Sequence, residues 1–439
     1  MSAQTRSSEP VRLARADADL VRRDELLPGL ATLLDPAAFL EALSRDLPDA
    51  NPVAAEPLYL RYKPGTNCLV EYRVRAAGGR EALLYAKTYG LDAASKLKKA
   101  LRKPGVPGAF GVGRLVWEDR KTVVSFFPND DRLEQLRGLT DEGKTRRLLG
   151  HVLPECPELR EGRLAALRYK PERRYVARLT GTGGQGAALK LYTPGGYAQA
   201  ERNALAFSET FKSTGPLRVA RVLGRAEREG AIAFEWADGE PFEKTPTAGA
   251  AEKVGAALAE LHAQGTRDLK YTTRQEEISS LNALAGAVSY TLPELLDGFY
   301  TLAARLSAQL LRERPLAVPI HGDFYDEQVL ISASHVTILD LDRATLGDPA
   351  TDLGNFAARL EYDALEGDLP GDLAANLEAS LIAGYGGAGG DVLPEKVRLY
   401  KAVGLFRLAP EPFRSRRDGW AEKTGRILSR AAEVLEEGA

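Results

Sequence analysis

The pentapeptide LRYKP occurs twice, at residues 60–64 and 167–171, and the segments after each copy share one order of patterns. An alternating apolar stretch comes first (CLVEYRV, then RYVARL). A Gly-containing turn is next, then a strand with one lysine, LLYAKTY with Lys87 and AALKLY with Lys190. A helix and a further strand pair close each copy, ending in TVVSFFPNDD and AIAFEWADGE, with Phe127 and Trp236 at matching places. Period-two alternation reads as half-buried strand, and self-similarity at one offset reads as a repeated structural unit. The front half is therefore expected to fold as tandem copies of one β-rich unit.

From Thr247 onward the pattern turns helical. AEKVGAALAELHA sets Val254, Leu258 and Leu261 on one face, and GNFAARLEYDALEGD, DLAANLEASLIAGYGG and PEKVRLYKAVGLFRL also read as helices. A chain of 439 residues has room for two or three domains. With 44% hydrophobic and 27% charged residues and a formal net charge of −2, it has no basic excess that would suit a nucleic acid or a membrane surface. No apolar run approaches the length of a membrane-spanning helix, and the polar start MSAQTRSSEPVRLARADADL lacks a signal-peptide core. Cys68 and Cys156, far apart in sequence, form no metal-ligand pair, so a reducing cytoplasm is the expected setting.

Candidate chemistry concentrates in IHGDFYDEQVLISASHVTILDLDRATLGDPATDL, residues 320–353. Asp323 follows a His-Gly pair at the end of an apolar stretch, Gln328 comes five positions later, and Asp340 closes a β-like run. An acceptor hydroxyl needs a carboxylate to orient it and take its proton, and Mg²⁺ on nucleotide phosphates needs hard oxygen ligands. One short loop plus the next strand supplies both.

These residues resemble the aminoglycoside phosphotransferase and choline kinase family, a branch of the protein-kinase-like fold that phosphorylates small molecules. Its catalytic loop reads His-Gly-Asp, four residues, then Asn. Its metal strand reads Ile-Asp-Trp or similar, followed by Gly-Asp-Pro and Asp-Leu. HGDFYDEQ, ILDLD, GDP and DL occur here in that order. The resemblance implies an α+β, bilobal protein-kinase-like fold with a duplicated N-lobe-like unit at the N-terminus. Residues 1–150 are then a degenerate cap, 151–240 the kinase-like N-lobe, and 241–439 the helical C-lobe with catalytic loop and acceptor pocket. By the same resemblance Asp323 is the catalytic base, Gln328 and Asp340 are metal ligands, and Asp348 with Asp352 brace the segment after the metal strand. Gln328 departs from the usual Asn, keeping an amide oxygen one methylene farther out, as in maltokinases and glucosamine kinases of the family. Tyr325 stands where those enzymes usually have His.

The resemblance also implies a nucleotide site. The strand lysine reaches the phosphates and is held by a helix glutamate. In the second copy these are Lys190 and Glu201; in the first the same spacing falls on Lys98, a like charge, so the second copy is expected to be the working lobe. Arg173 and Arg174, in the basic turn 170–174, either cover the phosphates or belong to a solvated basic loop. The stretch FEWADGEPF, residues 234–242, resembles the hinge, with adenine read against the backbone of Glu235, Trp236 and Ala237. GTGGQG, residues 181–186, satisfies G-x-G-x-x-G but precedes a strand rather than a helix, so a hairpin turn is expected. His262 and His321 are expected to be structural. Asp326, Glu327, Glu361, Asp363 and Glu366 either greet a cationic acceptor or form a solvated face.

The expected function is ATP-dependent, Mg²⁺-dependent phosphoryl transfer to a hydroxyl of a small molecule, a sugar, amino sugar or amino alcohol, by a monomer or homodimer. The alternative is a nucleotide-binding pseudokinase or scaffold with partner contacts through the extra N-terminal lobe. Duplication and Gln328 favour that alternative, and retention of Asp323, Asp340, Lys190 and Glu201 opposes it. The sequence neither names the acceptor nor excludes GTP as donor.

Overall fold

The computed structural model describes residues 13–211, 215–265 and 268–437. They form two compact units. Among them the first comprises residues 13–130 with 290–293 and 411–421, and the second comprises the described residues of 131–289, 294–410 and 422–437. The sequence expectation drew its first boundary at 150.

In the first unit three short helices, α1 (Arg15–Arg23), α2 (Leu30–Leu34) and α3 (Pro36–Asp46), precede the sheet. The start of α3 follows from local chemistry: the Asp35 carboxylate accepts the N–H groups of Ala37 and Ala38, and Pro36 fills the first helical position. The sheet contains β1 (Pro52–Lys63), β2 (Asn67–Ala76), β3 (Glu81–Tyr89), β4 (Arg114–Trp117) and β5 (Thr122–Phe126), with α4 (Ala93–Arg102) after β3. Its spatial order is β1-β2-β3-β5-β4. Phe39 of α3 stacks on Tyr72 of β2 at 4.0 Å. Segment 411–421 is tied in by buried Asp17, which accepts two bonds from Arg416, at 3.0 and 2.7 Å, and one from the Trp420 indole at 3.2 Å.

The second unit opens with α5 (Glu142–Val152) and α6 (Pro157–Arg160), then β6 (Arg163–Lys170), β7 (Arg174–Thr180), β8 (Gly186–Tyr192) and α7 (Pro194–Thr210). After β9 (Leu217–Val219), β10 (Val222–Ala226) and β11 (Ala231–Glu235) complete a five-stranded sheet in the order β6-β7-β8-β11-β10. This order matches that of the first unit strand for strand. The register matches too: Lys87 lies opposite Leu69 and Lys190 opposite Val176, each partner standing at the same place after its LRYKP. Residues 181–185 form the turn between β7 and β8, as the strand following them requires.

The remainder of the second unit is mostly helical, with β12 (Glu240–Pro241), α8 (Ala248–His262), α9 (Arg274–Thr291), α10 (Leu296–Arg312) and β13 (Val318–Ile320). Next come the hairpin β14 (Val329–Ile331) and β15 (Val336–Ile338), β16 (Thr345–Gly347), and the helices α11 (Ala350–Glu366), α12 (Gly371–Gly387) and α13 (Pro394–Leu408). Of two further helices, α14 (Glu411–Arg414) belongs to the first unit, and α15 (Trp420–Glu436) starts there and continues in the second. Small sheets β12-β14-β15-β9 and β13-β16 carry the loops of residues 320–353. Phe324, Phe356 and Phe242 anchor them in the core, with ring centroids 5.3 and 5.6 Å apart. Among the described residues no helix is long and apolar enough to cross a membrane.

Candidate active site

The loop after β13 is held by one buried carboxylate. Asp352, fully buried in the first turn of α11, accepts the backbone N–H of His321 at 2.6 Å and of Gly322 at 2.8 Å, and its Oδ2 also meets the His262 ring at 3.0 Å. The His321 Nε2 lies 2.8 Å from the Leu339 carbonyl, while its Nδ1 accepts the N–H of Asp323 at 3.3 Å. Those partners require the proton on Nε2. Gly322 has φ +79°, and a Cβ there would meet the Arg343 carbonyl oxygen at 2.6 Å, so no larger residue fits. The Asp323 carboxylate stays half exposed, 3.6 Å from the Arg343 Nε. Asp348 binds Lys396 at 2.6 Å and accepts the N–H of Ala350.

Hairpin β14–β15 brings Gln328 next to Asp340 in space. Val329 pairs with Ile338, and the Leu339 N–H donates to the Gln328 carbonyl at 2.8 Å. The side-chain Oε1 of Gln328 is buried and has no hydrogen-bond partner among the described residues. An orphaned buried acceptor costs about 1–3 kcal/mol unless something binds it. Asp340 itself adopts the left-handed conformation, φ +64°, which is uncommon outside glycine and clusters at functional sites.

Four charged groups meet at the end of β15. Lys190 on β8 lies 2.8 Å from Asp340 and 3.2 Å from Asp342. Arg174 on β7 reaches the same carboxylates at 2.7 and 3.4 Å, and the Tyr192 hydroxyl donates to Asp342 at 3.0 Å. Burial alone would raise Asp340, but Lys190 and Arg174 hold it well below the usual carboxylate range. Burial alone would lower Lys190; Asp342 and Asp340 outweigh it, and the ammonium ends above its ordinary value. Asn203 of α7 secures the turn that carries Asp342, donating to the carbonyls of Leu341, Asp342 and Ala344 at 3.2, 3.0 and 2.9 Å.

This cluster lines a cleft of about 590 Å³ together with Glu235, Trp236, Ala237, Val176, Phe207, Leu330 and Ile338. Apolar lining beside two cations, two carboxylates and an amide suits a ligand with a flat apolar body and an anionic, cation-bearing tail. No group of three or more His, Cys, Asp or Glu side chains among the described residues could hold a metal alone. One carboxylate, one amide and the ligand's own oxygens fit Mg²⁺, which is often bound by one or two carboxylates plus phosphate.

A family model described as the phosphotransferase enzyme family, APH, matches residues 171–400, which run from the β6–β7 turn to α13. The chain belongs to the APH phosphotransferase enzyme family. It is a small-molecule phosphotransferase with a hydroxyl acceptor, on an α+β, protein-kinase-like fold. A choline/ethanolamine kinase family protein from Mesorhizobium loti is similar at 20% identity, covering 68% of this chain and 95% of that one, with a TM-score of 0.48. A Plasmodium vivax ethanolamine kinase is similar at 12% identity, 66% and 94% coverage and a TM-score of 0.48. A choline kinase from Streptococcus pneumoniae is similar at 16% identity, 66% and 98% coverage and a TM-score of 0.45. No curated protein matches in sequence.

The cleft of this phosphotransferase gathers Lys190, Arg174, Glu235, Trp236, Ala237, Gln328 and Asp340, but two expectations need correction. Glu201 does not clamp Lys190: it accepts from Tyr197 at 2.9 Å and Arg225 at 2.8 Å. Helix phase is the cause, because Glu201 and Asn203 lie about 200° apart around α7 and Asn203 is the one that faces the site. Asp342 stands in for the glutamate; as the second acid of ILDLD it was visible in the sequence. Arg173 does not line the cleft either. It is exposed, one residue before Arg174 at a turn where successive side chains diverge.

A second cavity of about 420 Å³ opens beside the loop after β13, lined by Gly322, Arg343, Asp348 and Thr351 with Tyr400 and Arg407 of α13. None of the five acids considered for acceptor recognition lines it. Glu361 binds Lys401 and Arg430, Glu366 binds Lys423, and Glu327 binds Arg168. Asp326 and Asp363 share Arg359; burial, the larger cause, raises both, Asp363 to about 7.

Proposed function

We propose that this phosphotransferase moves the γ-phosphoryl group of ATP to a hydroxyl of a small sugar-like molecule, with the larger cleft as nucleotide site and the cavity at Gly322 as acceptor site. The observation that carries this reading is one cleft lined by Gln328, Asp340, Lys190 and Arg174 together, with the Gln328 Oε1 buried and without a hydrogen-bond partner among the described residues. Asp323 takes the acceptor's hydroxyl proton as the oxygen bonds to the γ-phosphorus. The bond from phosphorus to the bridging oxygen breaks, and its electron pair leaves on the β-phosphate of ADP. Lys190 and Arg174 stabilise the negative charge spread over the phosphoryl oxygens, and the hinge backbone orients the purine. Mg²⁺, held by Asp340 and Gln328, neutralises phosphate charge when bound. The acids that could have met an ammonium are engaged elsewhere, which favours an acceptor without an ammonium group.

ADP release with Mg²⁺ and ATP, measured across a panel of hydroxylated acceptors, tests the proposal. Acceptor-dependent ADP release supports it, whereas nucleotide binding without turnover returns the chain to the pseudokinase reading.

The first unit is, on this proposal, a degenerate copy of the nucleotide-binding lobe. Its Lys87 lies over the Tyr89 ring at 5.4 Å, and α4 carries Lys98 where the second unit has Glu201. Lys190→Ala is therefore expected to lower kcat/KM roughly 10²–10³-fold, the scale for loss of one transition-state charge contact, while Lys87→Ala stays within about threefold. Damage from Lys87→Ala alone would mean that the working lobe has been misassigned. Gln328→Ala is expected to raise the Mg²⁺ concentration for half-maximal turnover about tenfold, with Gln328→Asn only partly tolerated. A magnesium titration that superimposes on the wild type would remove Gln328 from the metal site.

A further inference from the structure

The second cavity holds a guanidinium that no side chain among the described residues pairs with directly. Arg407 lines it from α13 and makes no hydrogen bond or ion pair among the described residues. The other charged groups of the lining are matched. Arg274 is bound by Glu277 at 2.6 Å and by the Tyr400 hydroxyl at 2.5 Å, Asp348 by Lys396 at 2.6 Å, and Arg343 faces Asp323 at 3.6 Å. Burial lowers the pKa of Arg407 and nearby Arg343 lowers it further, while Glu277, Tyr400 and Asp323 pull it back only in part. The same cavity is lined by Thr351, 5% exposed, whose Oγ1 is buried without a partner. Desolvating a guanidinium that no carboxylate contacts directly is costly, and an oxyanion bound in the cavity would offset that cost. A guanidinium presents a planar fork that matches an oxyanion in two parallel bonds, whereas an ammonium group beside Arg407 meets repulsion.

We propose, resting on the reading of this cavity as the acceptor site, that the acceptor carries an oxyanion, a carboxylate or a phosphate, on the same molecule as the hydroxyl to be phosphorylated, and that Arg407 binds it. The hydroxyl is thereby turned toward Asp323, whose carboxylate interacts electrostatically with Arg407. Thr351 is the neutral donor of the same subsite.

Acceptors of matched carbon skeleton test this: glucose, glucosamine, gluconate and glucose 6-phosphate, each with Mg·ATP and the intact protein, read as ADP release. Gluconate or glucose 6-phosphate is expected to show a KM at least about tenfold below the other two, and the two arms separate carboxylate from phosphate. Arg407→Met should raise that KM roughly ten- to hundredfold, with Arg407→Lys recovering part of the loss and the affinity for ATP unchanged. Equal or better use of glucose or glucosamine, or a KM that Arg407→Met leaves alone, overturns the proposal. Should Arg407→Met fail to fold, the wild-type preference between charged and uncharged acceptors decides.

Failure of the kinase reading itself is told apart by calorimetry, with a non-hydrolysable ATP analogue filling the nucleotide cleft. Inorganic phosphate and gluconate are titrated into wild type and the Arg407 variants. Binding that is lost in Arg407→Met upholds the anion subsite even if no acceptor is phosphorylated. A wild type that binds neither probe overturns the subsite even if an acceptor is found.

Discussion

Asp323→Asn is expected to lower acceptor phosphorylation by roughly 10²–10⁴-fold in kcat, the range of general-base catalysis, while the dissociation constant for Mg·ATP changes less than about twofold. The substitution keeps the shape of the side chain and removes its ability to take a proton. The loop itself is held by other groups: Asp352 through the N–H groups of His321 and Gly322, and His321 through the Asp323 N–H, none of which uses the Asp323 carboxylate. Nor does Asp323 line the nucleotide cleft. Acceptor-dependent ADP release and an independent nucleotide titration check both halves. Wild-type turnover in the variant would move the base to another residue.

Asp340→Ala is expected to act on the other side of the reaction and on the fold. Lys190 and Arg174 both lean on this carboxylate, and only Asp342 remains for them once it is gone. Breaking a buried ion pair by removing one partner costs about 3–5 kcal/mol, and with Asp342 still present the loss should fall near 3 kcal/mol. Mg²⁺-dependent nucleotide binding should weaken at least about a hundredfold, since the proposed metal ligand disappears along with the local charge balance. The pH dependence has a definite sign. The folded-state pKa of Asp340 is depressed, so its contribution is complete above the unfolded value, near 4, and fades as pH falls below it. The stability gap between wild type and Asp340→Ala, measured by urea unfolding, should therefore be constant at neutral pH and narrow in acid. Unchanged magnesium dependence of nucleotide binding would place the metal elsewhere.

Much of the site lies in local sequence because its parts are close in the chain. Asp323, Gln328 and Asp340 are joined by one loop and one tight hairpin, so linear spacing and spatial proximity nearly coincide, and their order can be read directly. The repeated sheets were legible for a related reason: strand alternation and the recurrence of LRYKP set the register of each lysine against its neighbour strand. The hairpin at residues 181–186 followed from the strand after it.

Other features depended on rotation and on distant partners, which spacing does not encode. The distance from Lys190 to Glu201 suits a strand-to-helix clamp, yet helical phase turns Glu201 toward Arg225 and presents Asn203 instead. Of two adjacent arginines, a single residue of turn geometry decides that Arg174 reaches Asp340. The acids that looked ready for a cationic acceptor are taken up by Lys401, Arg430 and Lys423, from helices far along the chain. Arg407 and Thr351 become one cavity wall only when α13 packs along α11. Short-range motifs carry the family chemistry, and those can be read along the chain. Which charges pair with one another, and that Arg407 stays without a partner among the described residues, follows from the packed fold, because pairing depends on where side chains converge in space.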